Sequence, residues 1–250
     1  MKKALLCTLL TATATLTAFN GHAATIDLSS WTQEGDGNWI LQSGNDTVLQ
    51  TTNGQPTIFH SGTNSQGQSL SGEITVTTTS DDDFIGFVLG YNAGDLTNEE
   101  ADYLLIDWKQ GNQNVGGWGF GAEGLAISRV TDELFNLNAW DHETALGVEE
   151  LQRATNLGST GWDDNTTYSF DLIFTSSLVQ VFVNDVLEIS VSGSFSDGAF
   201  GFYNFSQPNV LYAGITSDVV EPPADVSAPA TLGITLLGLL GLLARRVSKK

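Results

Sequence analysis

The 250-residue chain carries 29 acidic residues against 9 basic ones, a net charge of −20, and is 41% hydrophobic. Six of the bases (Lys2, Lys3, Arg245, Arg246, Lys249 and Lys250) stand at the two ends, so the span from Asp27 to Asp225 holds every acid and only three bases. A surface of that sign repels phosphate backbones and anionic lipid, which excludes nucleic acid as a partner and makes cations the natural counterpart.

The N-terminal stretch begins with Lys2 and Lys3, continues as a threonine-diluted apolar run from Ala4 to Phe19, and ends in Gly21-His22-Ala23. A basic start, a short apolar core and a small-residue exit read as an export signal over residues 1–23, with Ala24 as the first mature residue. The only cysteine, Cys7, lies inside that signal, so the exported chain has no disulfide and no thiol chemistry. His60 and His142 are its only histidines, too few for a Cys/His zinc site.

Residues 24–217 read as one all-β domain, because short alternating apolar runs separated by Gly, Asn, Asp and Ser recur without a sustained helical period. In chain order, strands are predicted at Ile74–Val76, Phe84–Tyr91, Tyr103–Trp108 and Leu125–Val130. The run Phe84-Ile85-Gly86-Phe87-Val88-Leu89 is apolar on both faces, as expected of a central strand covered by a second sheet. Gly116-Gly117-Trp118-Gly119-Phe120-Gly121 does not stand between a strand and a helix, so it reads as a flexible turn-rich loop rather than a dinucleotide cradle. Residues 132–157 mix leucines with acids and read as a long irregular loop with room for one helical turn. Tyr168, Phe170, Leu172 and Phe174 line one face of a strand, and Val179, Val181 and Val183 line the next. Asn184-Asp185 then forms a two-residue turn into Val186–Val191. A last predicted strand covers Ala199–Phe205.

Residues 218–227 form a proline-set linker containing Glu221-Pro222-Pro223, and residues 228–250 form the tail. Its apolar run from Ala230 to Ala244 is 15 residues long, shorter than the roughly 20 of an ordinary membrane helix. The basic end keeps to the cytoplasmic side, so the tail would hold the domain outside the inner membrane. Ala228, Pro229, Ala230, Arg245 and Arg246 resemble a PEP-CTERM sorting tail, which implies an exosortase-type processing enzyme as partner. Ser227-Ala228-Pro229 stands where that class has Pro-Glu-Pro, and a plain membrane anchor is the other reading.

Asp81, Asp82 and Asp83 are the candidate metal ligands. Calcium takes 6–8 oxygen ligands, and an acidic loop supplies several from neighbouring positions. On a straight strand Asp82 would face away from Asp81 and Asp83, so the site requires a curled loop; the alternative is a solvated acidic turn. Asp95, Glu99, Glu100 and Asp102 offer a second cluster by nearness in sequence alone. Trp118, Trp140 and Trp162 lie in or beside loops, where an indole stacks on a sugar or packs inward; Trp118 is the candidate ligand contact. Catalytic residues are absent from the pattern. Asp163-Asp164 and Glu149-Glu150 are adjacent pairs that diverge on a strand rather than the alternating acids of a sandwich glycosidase. His142 reads as a solvated or hydrogen-bonded loop residue, and His60 as a strand end.

Asp81-Asp82-Asp83-Phe84-Ile85-Gly86-Phe87-Val88-Leu89-Gly90-Tyr91, then Tyr103 to Gln110 ending Trp108-Lys109-Gln110, then Gly161-Trp162, then Gly198-Ala199-Phe200-Gly201 through Phe205-Ser206-Gln207 follow one another in an order that resembles the lectin-like C-terminal domain of thrombospondins. The resemblance covers about Val48 to Ile215. It implies a concanavalin-type jelly-roll β-sandwich, calcium as cofactor and a role in adhesion or matrix contact, without catalysis. Asp107 departs from the family's apolar strand, and residues 92–102 form a longer, more acidic loop. The expected protein is an exported, surface-associated or secreted calcium-binding module that contacts extracellular polysaccharide or a matrix protein. The alternative is a glycoside hydrolase or lyase on the same sandwich.

Overall fold

The computed structural model describes residues 24–220; the signal at 1–23 and the tail motif at Ala228, Pro229, Ala230, Arg245 and Arg246 lie outside the described residues. Seventeen strands build the domain. The first eight are β1 Ala24–Thr25, β2 Thr32–Gly35, β3 Trp39–Leu41, β4 Val48–Gln50, β5 Thr57–His60, β6 Gln68–Val76, β7 Phe84–Tyr91 and β8 Tyr103–Lys109. The rest are β9 Gln113–Val115, β10 Gly119–Gly121, β11 Gly124–Val130, β12 Val148–Arg153, β13 Thr167–Phe174, β14 Leu178–Val183, β15 Val186–Ser192, β16 Ala199–Phe205 and β17 Val210–Val219.

Two antiparallel sheets face each other. One runs β15-β14-β13-β6-β17-β4-β3, with β1 beside the far end of β17; the other runs β12-β11-β8-β7-β16-β5-β2. The predicted alternation is what fills the space between them. Phe170, Leu172, Phe174, Val179, Val181 and Val183 come from the first sheet, and Ile85, Phe87, Leu89, Leu104, Ile106 and Trp108 from the second. Asn184 and Asp185 make the expected tight turn, both with positive φ (48° and 62°), the geometry that matches the twist of the flanking strands. The architecture is the jelly-roll sandwich.

All eight residues of β7 are buried, but for a different reason than a second sheet on each side. Ile85, Phe87 and Leu89 face the opposite sheet, whereas Phe84, Val88 and Tyr91 face outward into a second core with Tyr103, Leu105, Trp140, Tyr203 and Phe205. Loop segments roof that outer core. Residues 132–157, expected as an irregular loop, supply much of it as helix α1 Asn136–Asp141, a 3-10 turn at Thr144–Leu146 and the edge strand β12. Asn138 is the local reason: its carboxamide accepts from Phe135 N at 2.8 Å and donates to the Glu133 and Leu146 carbonyls, each at 2.9 Å. The segment Gly116–Gly121, expected as a flexible loop, instead closes the β9–β10 hairpin over α1.

A tyrosine ties the sheets together. Tyr212 of β17 is fully buried and reaches across to the second sheet, where its hydroxyl lies 2.9 Å from Tyr203 O and 3.0 Å from Asn204 Oδ1, and accepts from Gly86 N at 3.3 Å. Gly86 allows the close strand approach there, since a Cβ would stand 2.0 Å from Ile106 O.

Candidate functional site

The acidic triplet occupies the irregular link between β6 and β7. The three side chains converge there: one carboxylate oxygen each from Asp81, Asp82 and Asp83 lie within 4.8 Å of one another. Asp83 is buried, and Asp81 and Asp82 are half-buried. The link is pinned from several sides. Asp83 N donates to Gln207 Oε1 at 3.0 Å, Trp162 Nε1 donates to Asp83 O at 3.2 Å, and Gln110 N donates to Asp82 O at 3.2 Å. Asn53 Nδ2 donates to Asp81 Oδ2.

Lys109, the last residue of β8, completes the group. Alternation along β8 puts Tyr103, Leu105, Asp107 and Lys109 on the outward face, so the side chain of Lys109 enters the roofed core with no exposure at all. Its ammonium donates to Asp83 Oδ1 at 2.7 Å, Asp82 O at 3.0 Å and Gln113 Oε1 at 3.1 Å. It lies 3.6 Å from Asp82 Oδ1 and 4.8 Å from the Trp140 ring centroid. Burial, and then the neighbouring Asp83 charge, push the Asp81 carboxyl up to about 6.

This donor set suits a hard divalent cation. Every ligand is a carboxylate oxygen, and there is no sulfur or imidazole. Three carboxylates against one ammonium leave a residual charge of −2.

The second acidic cluster expected from the sequence does not assemble. Asp95 accepts from Asn92 N at 2.9 Å and Asn98 Nδ2 at 3.0 Å within its own turn. Asp102 forms a bidentate pair with Arg129 at 2.7 and 3.0 Å, which holds its carboxyl below the usual carboxylate range. Trp118 sits on the β9–β10 hairpin, packed on one side. Its ring is half-buried, 5.4 Å from Trp140 and 5.6 Å from Phe205, while Phe120 on the same hairpin is 52% exposed. Trp140 and Trp162 are core residues, 2% and 1% exposed.

His142 is not solvated. At the left-handed C-cap of α1 it turns inward, with Nε2 2.8 Å from Asp107 Oδ2, and Nδ1 3.5 Å from both Ser128 Oγ and Glu150 Oε2. Burial opposes its charge, but the Asp107 and Glu150 carboxylates outweigh burial and hold the imidazole up to about 10. Ser128 has no exposure, so this serine, histidine and aspartate form a closed ion-pair network rather than a nucleophile that a substrate can reach. His60 ends β5, as its place in the sequence implies, and lies 3.3 Å from Glu34 Oε1. Sequence reasoning missed both Lys109 and the Asp107–His142 pair. The available signal was two charged residues on one face of the otherwise apolar β8.

Fold and site together define a lectin-like β-sandwich module. Among solved structures, the chain is similar to the VIP36 exoplasmic/lumenal domain in its Ca2+/Man3GlcNAc-bound form, with a TM-score of 0.54 and 13% identity over 81% of this chain and 90% of that one. It is also similar to the carbohydrate-binding module CBM66 from Bacillus subtilis, with a TM-score of 0.53 and 13% identity over 76% of this chain and 95% of that one. At that identity the likeness is one of fold. Residues 34–220 match the family described as the thrombospondin C-terminal region, and the chain belongs to that family. Gallus gallus thrombospondin-2 is 26% identical over 200 residues, covering 72% of this chain and 16% of that protein. Homo sapiens cartilage oligomeric matrix protein is 24% identical over 230 residues, covering 82% and 28%. The chain thus spans less than a third of the length of these curated relatives.

Proposed function

We propose that the protein is an exported, surface-associated or secreted adhesion module that binds calcium at Asp81, Asp82 and Asp83 and contacts extracellular polysaccharide or another matrix component. The observation that carries this is the convergence of three carboxylates within 4.8 Å on a loop of a thrombospondin C-terminal-type domain. Bound calcium would neutralise the residual charge and fix the link between β6 and β7. Magnesium, which demands tighter octahedral geometry and keeps its waters, is the poorer occupant.

A thermal melt of the purified protein in calcium, magnesium or chelator tests the metal. Calcium at 100 times its dissociation constant adds about 2.7 kcal/mol by mass action. For a domain of this size that is a rise of roughly 5–10 °C. The rise should be specific to calcium and shrink in Asp81→Ala and Asp82→Ala; a wild-type melt indifferent to calcium ends the assignment.

The matrix contact is supported by the lectin-like fold and by the aromatic edge at the β9–β10 hairpin, where Trp118 is half-buried and Phe120 52% exposed. Glycan-array and matrix-pulldown binding distinguishes a polysaccharide ligand from a protein one. The tail, through Ala228, Pro229, Ala230, Arg245 and Arg246, acts as the processing signal for an exosortase-type enzyme after holding the chain in the inner membrane. Intact mass of protein from the native host tests this, and a mature form still ending at Lys250 rejects it.

A further inference from the structure

Resting on the calcium assignment of the Asp81–Asp83 link, we infer that Lys109 is a tethered counter-cation that keeps the site assembled when calcium is absent, so that Asp83 serves the lysine while Asp81 and Asp82 serve the metal.

The geometry divides the three acids in this way. Asp83 is 4% exposed and its Oδ1 lies 2.7 Å from the ammonium, the shortest of that ammonium's contacts. Asp81 and Asp82 keep half-exposed carboxylates, and Asp82 reaches the ammonium through a side-chain oxygen only at 3.6 Å. All three ammonium protons are used, on Asp83 Oδ1, Asp82 O and Gln113 Oε1, with the Trp140 ring on a further side. A lysine so enclosed has exchanged its water shell for protein oxygens and a π face, as a bound metal would, but its charge is single and it cannot leave. A buried carboxylate without such a partner is strongly destabilising. With Lys109 in place, a deep part of the site is neutral before any metal arrives. The remaining charge of −2 sits on the outer acids and matches one divalent ion.

Two consequences follow for regulation. The wild-type domain folds without calcium, and calcium adds stability that grows with the logarithm of its concentration instead of being required for folding. The ammonium also lowers calcium affinity, because it stands a few ångströms from the acids that hold the ion. Loss of one unit charge at about 4–5 Å from a divalent ion, even in water-like dielectric, corresponds to at least about tenfold in affinity.

The test uses the purified full chain with calcium chloride as probe, read by isothermal titration calorimetry and by thermal melts in calcium or chelator. Lys109→Met keeps the length of the stem and removes the charge. It should melt well below wild type in chelator, recover most of the difference in calcium, and bind calcium about tenfold or more tighter. Should Lys109→Met fail to fold, Asp83→Asn combined with Lys109→Met restores the residual charge of −2. That double variant should fold in chelator and bind calcium within about threefold of wild type. Affinity in Lys109→Met equal to or weaker than wild type overturns the inference while leaving the calcium assignment intact. A tenfold loss of calcium binding in the folded double variant also overturns it, since Asp83 would then be a metal ligand in its own right. Calcium without any heat signal on wild type and on both variants overturns the assignment and the inference together.

Discussion

Replacing Asp107 by leucine removes one half of a buried ion pair and leaves the other half charged. Asp107 is 1% exposed and the His142 side chain 11%, with 2.8 Å between Oδ2 and Nε2. Breaking such a pair from one side costs about 3–5 kcal/mol. Against the pull of burial, the same carboxylate, with Glu150, raises the imidazole from 6.5 to about 10, which is of the same order, roughly 5 kcal/mol at 1.36 kcal/mol per unit. His142 holds its proton more tightly folded than unfolded. Its contribution is therefore whole below pH 6.5 and is lost as pH rises from 6.5 towards 10. Glu150, whose carboxyl is held low by the His142 hydrogen bond, works on the other flank: its contribution is whole above its unfolded value near 4.5 and lost as pH falls. The buried Tyr103, Tyr203 and Tyr212 hydroxyls are pushed above their ordinary 10, so they add pH dependence only beyond this window. Urea unfolding at pH 6 and pH 9.5 measures the effect in wild type, Asp107→Leu, His142→Leu and the double variant. Asp107→Leu should lose several kcal/mol at pH 6, the double variant should regain most of it, and the wild-type decline between the two pH values should vanish in His142→Leu. A wild type equally stable at both pH values, or an Asp107→Leu loss below about 1 kcal/mol, refutes the ion-pair account.

Three further substitutions separate packing from ligand contact. Tyr212→Phe removes the hydroxyl bridging the two sheets and leaves Gly86 N, Tyr203 O and Asn204 Oδ1 short of a partner; a loss of about 1–3 kcal/mol in chemical denaturation is expected. Trp118→Ala strips a half-buried ring from Trp140 and Phe205 and should cost about 2 kcal/mol. Phe120→Ser, at a 52% exposed position, should stay within about 0.5 kcal/mol of wild type, so a fall in matrix pulldown by Phe120→Ser reports contact rather than unfolding.

Alternation made the inner core readable in advance, because β13 and β14 bury every second residue against a facing sheet. The same rule hid the outer core. A strand apolar on both faces announces two covers without saying what they are, and on β7 the second cover comes from segments rich in Asn, Gly and Glu. Strand β12 was hidden because it is an edge: paired on one side only, it tolerates the adjacent acids Glu149 and Glu150 and keeps few apolar marks beyond Val148 and Leu151. The acidic triplet was visible as a cluster, since three adjacent acids before an apolar strand have few structural uses. Its lysine was not, because Lys109 lies 26 residues further along the chain and reaches Asp83 only through the pairing of Phe84 with Lys109 across β7 and β8. The Asp107–His142 pair spans 35 residues and depends on where α1 docks, which the expected helical turn in residues 132–157 did not specify.

The topology also decides where a ligand can meet the domain. The outward face of the second sheet, open in principle on a jelly roll, is covered by Trp140, Trp118, Leu96 and Leu134, which leaves the outer face of the first sheet and the loops at the strand ends. Those ends are not equivalent. Strand β17 pairs antiparallel with β6, so Val219 lies opposite Gln68 while Val210 lies opposite Val76. Ala24 pairs with Ser217 at the same end as Val219. Both connections of the domain, at residues 24 and 220, thus lie at one pole, and the chain leaving Val76 enters the Asp81–Asp83 link at the other. Nine residues of β6 at about 3.3 Å each separate the two poles by roughly 30 Å. A domain held at residue 220 therefore presents its acidic loop away from the point of attachment. Moving the attachment to the Asn184-Asp185 turn, which lies near the start of β13 and so at the acidic pole, should abolish matrix binding on a coated surface while leaving calcium binding in solution unchanged. Equal capture in both orientations would place the contact elsewhere on the sandwich.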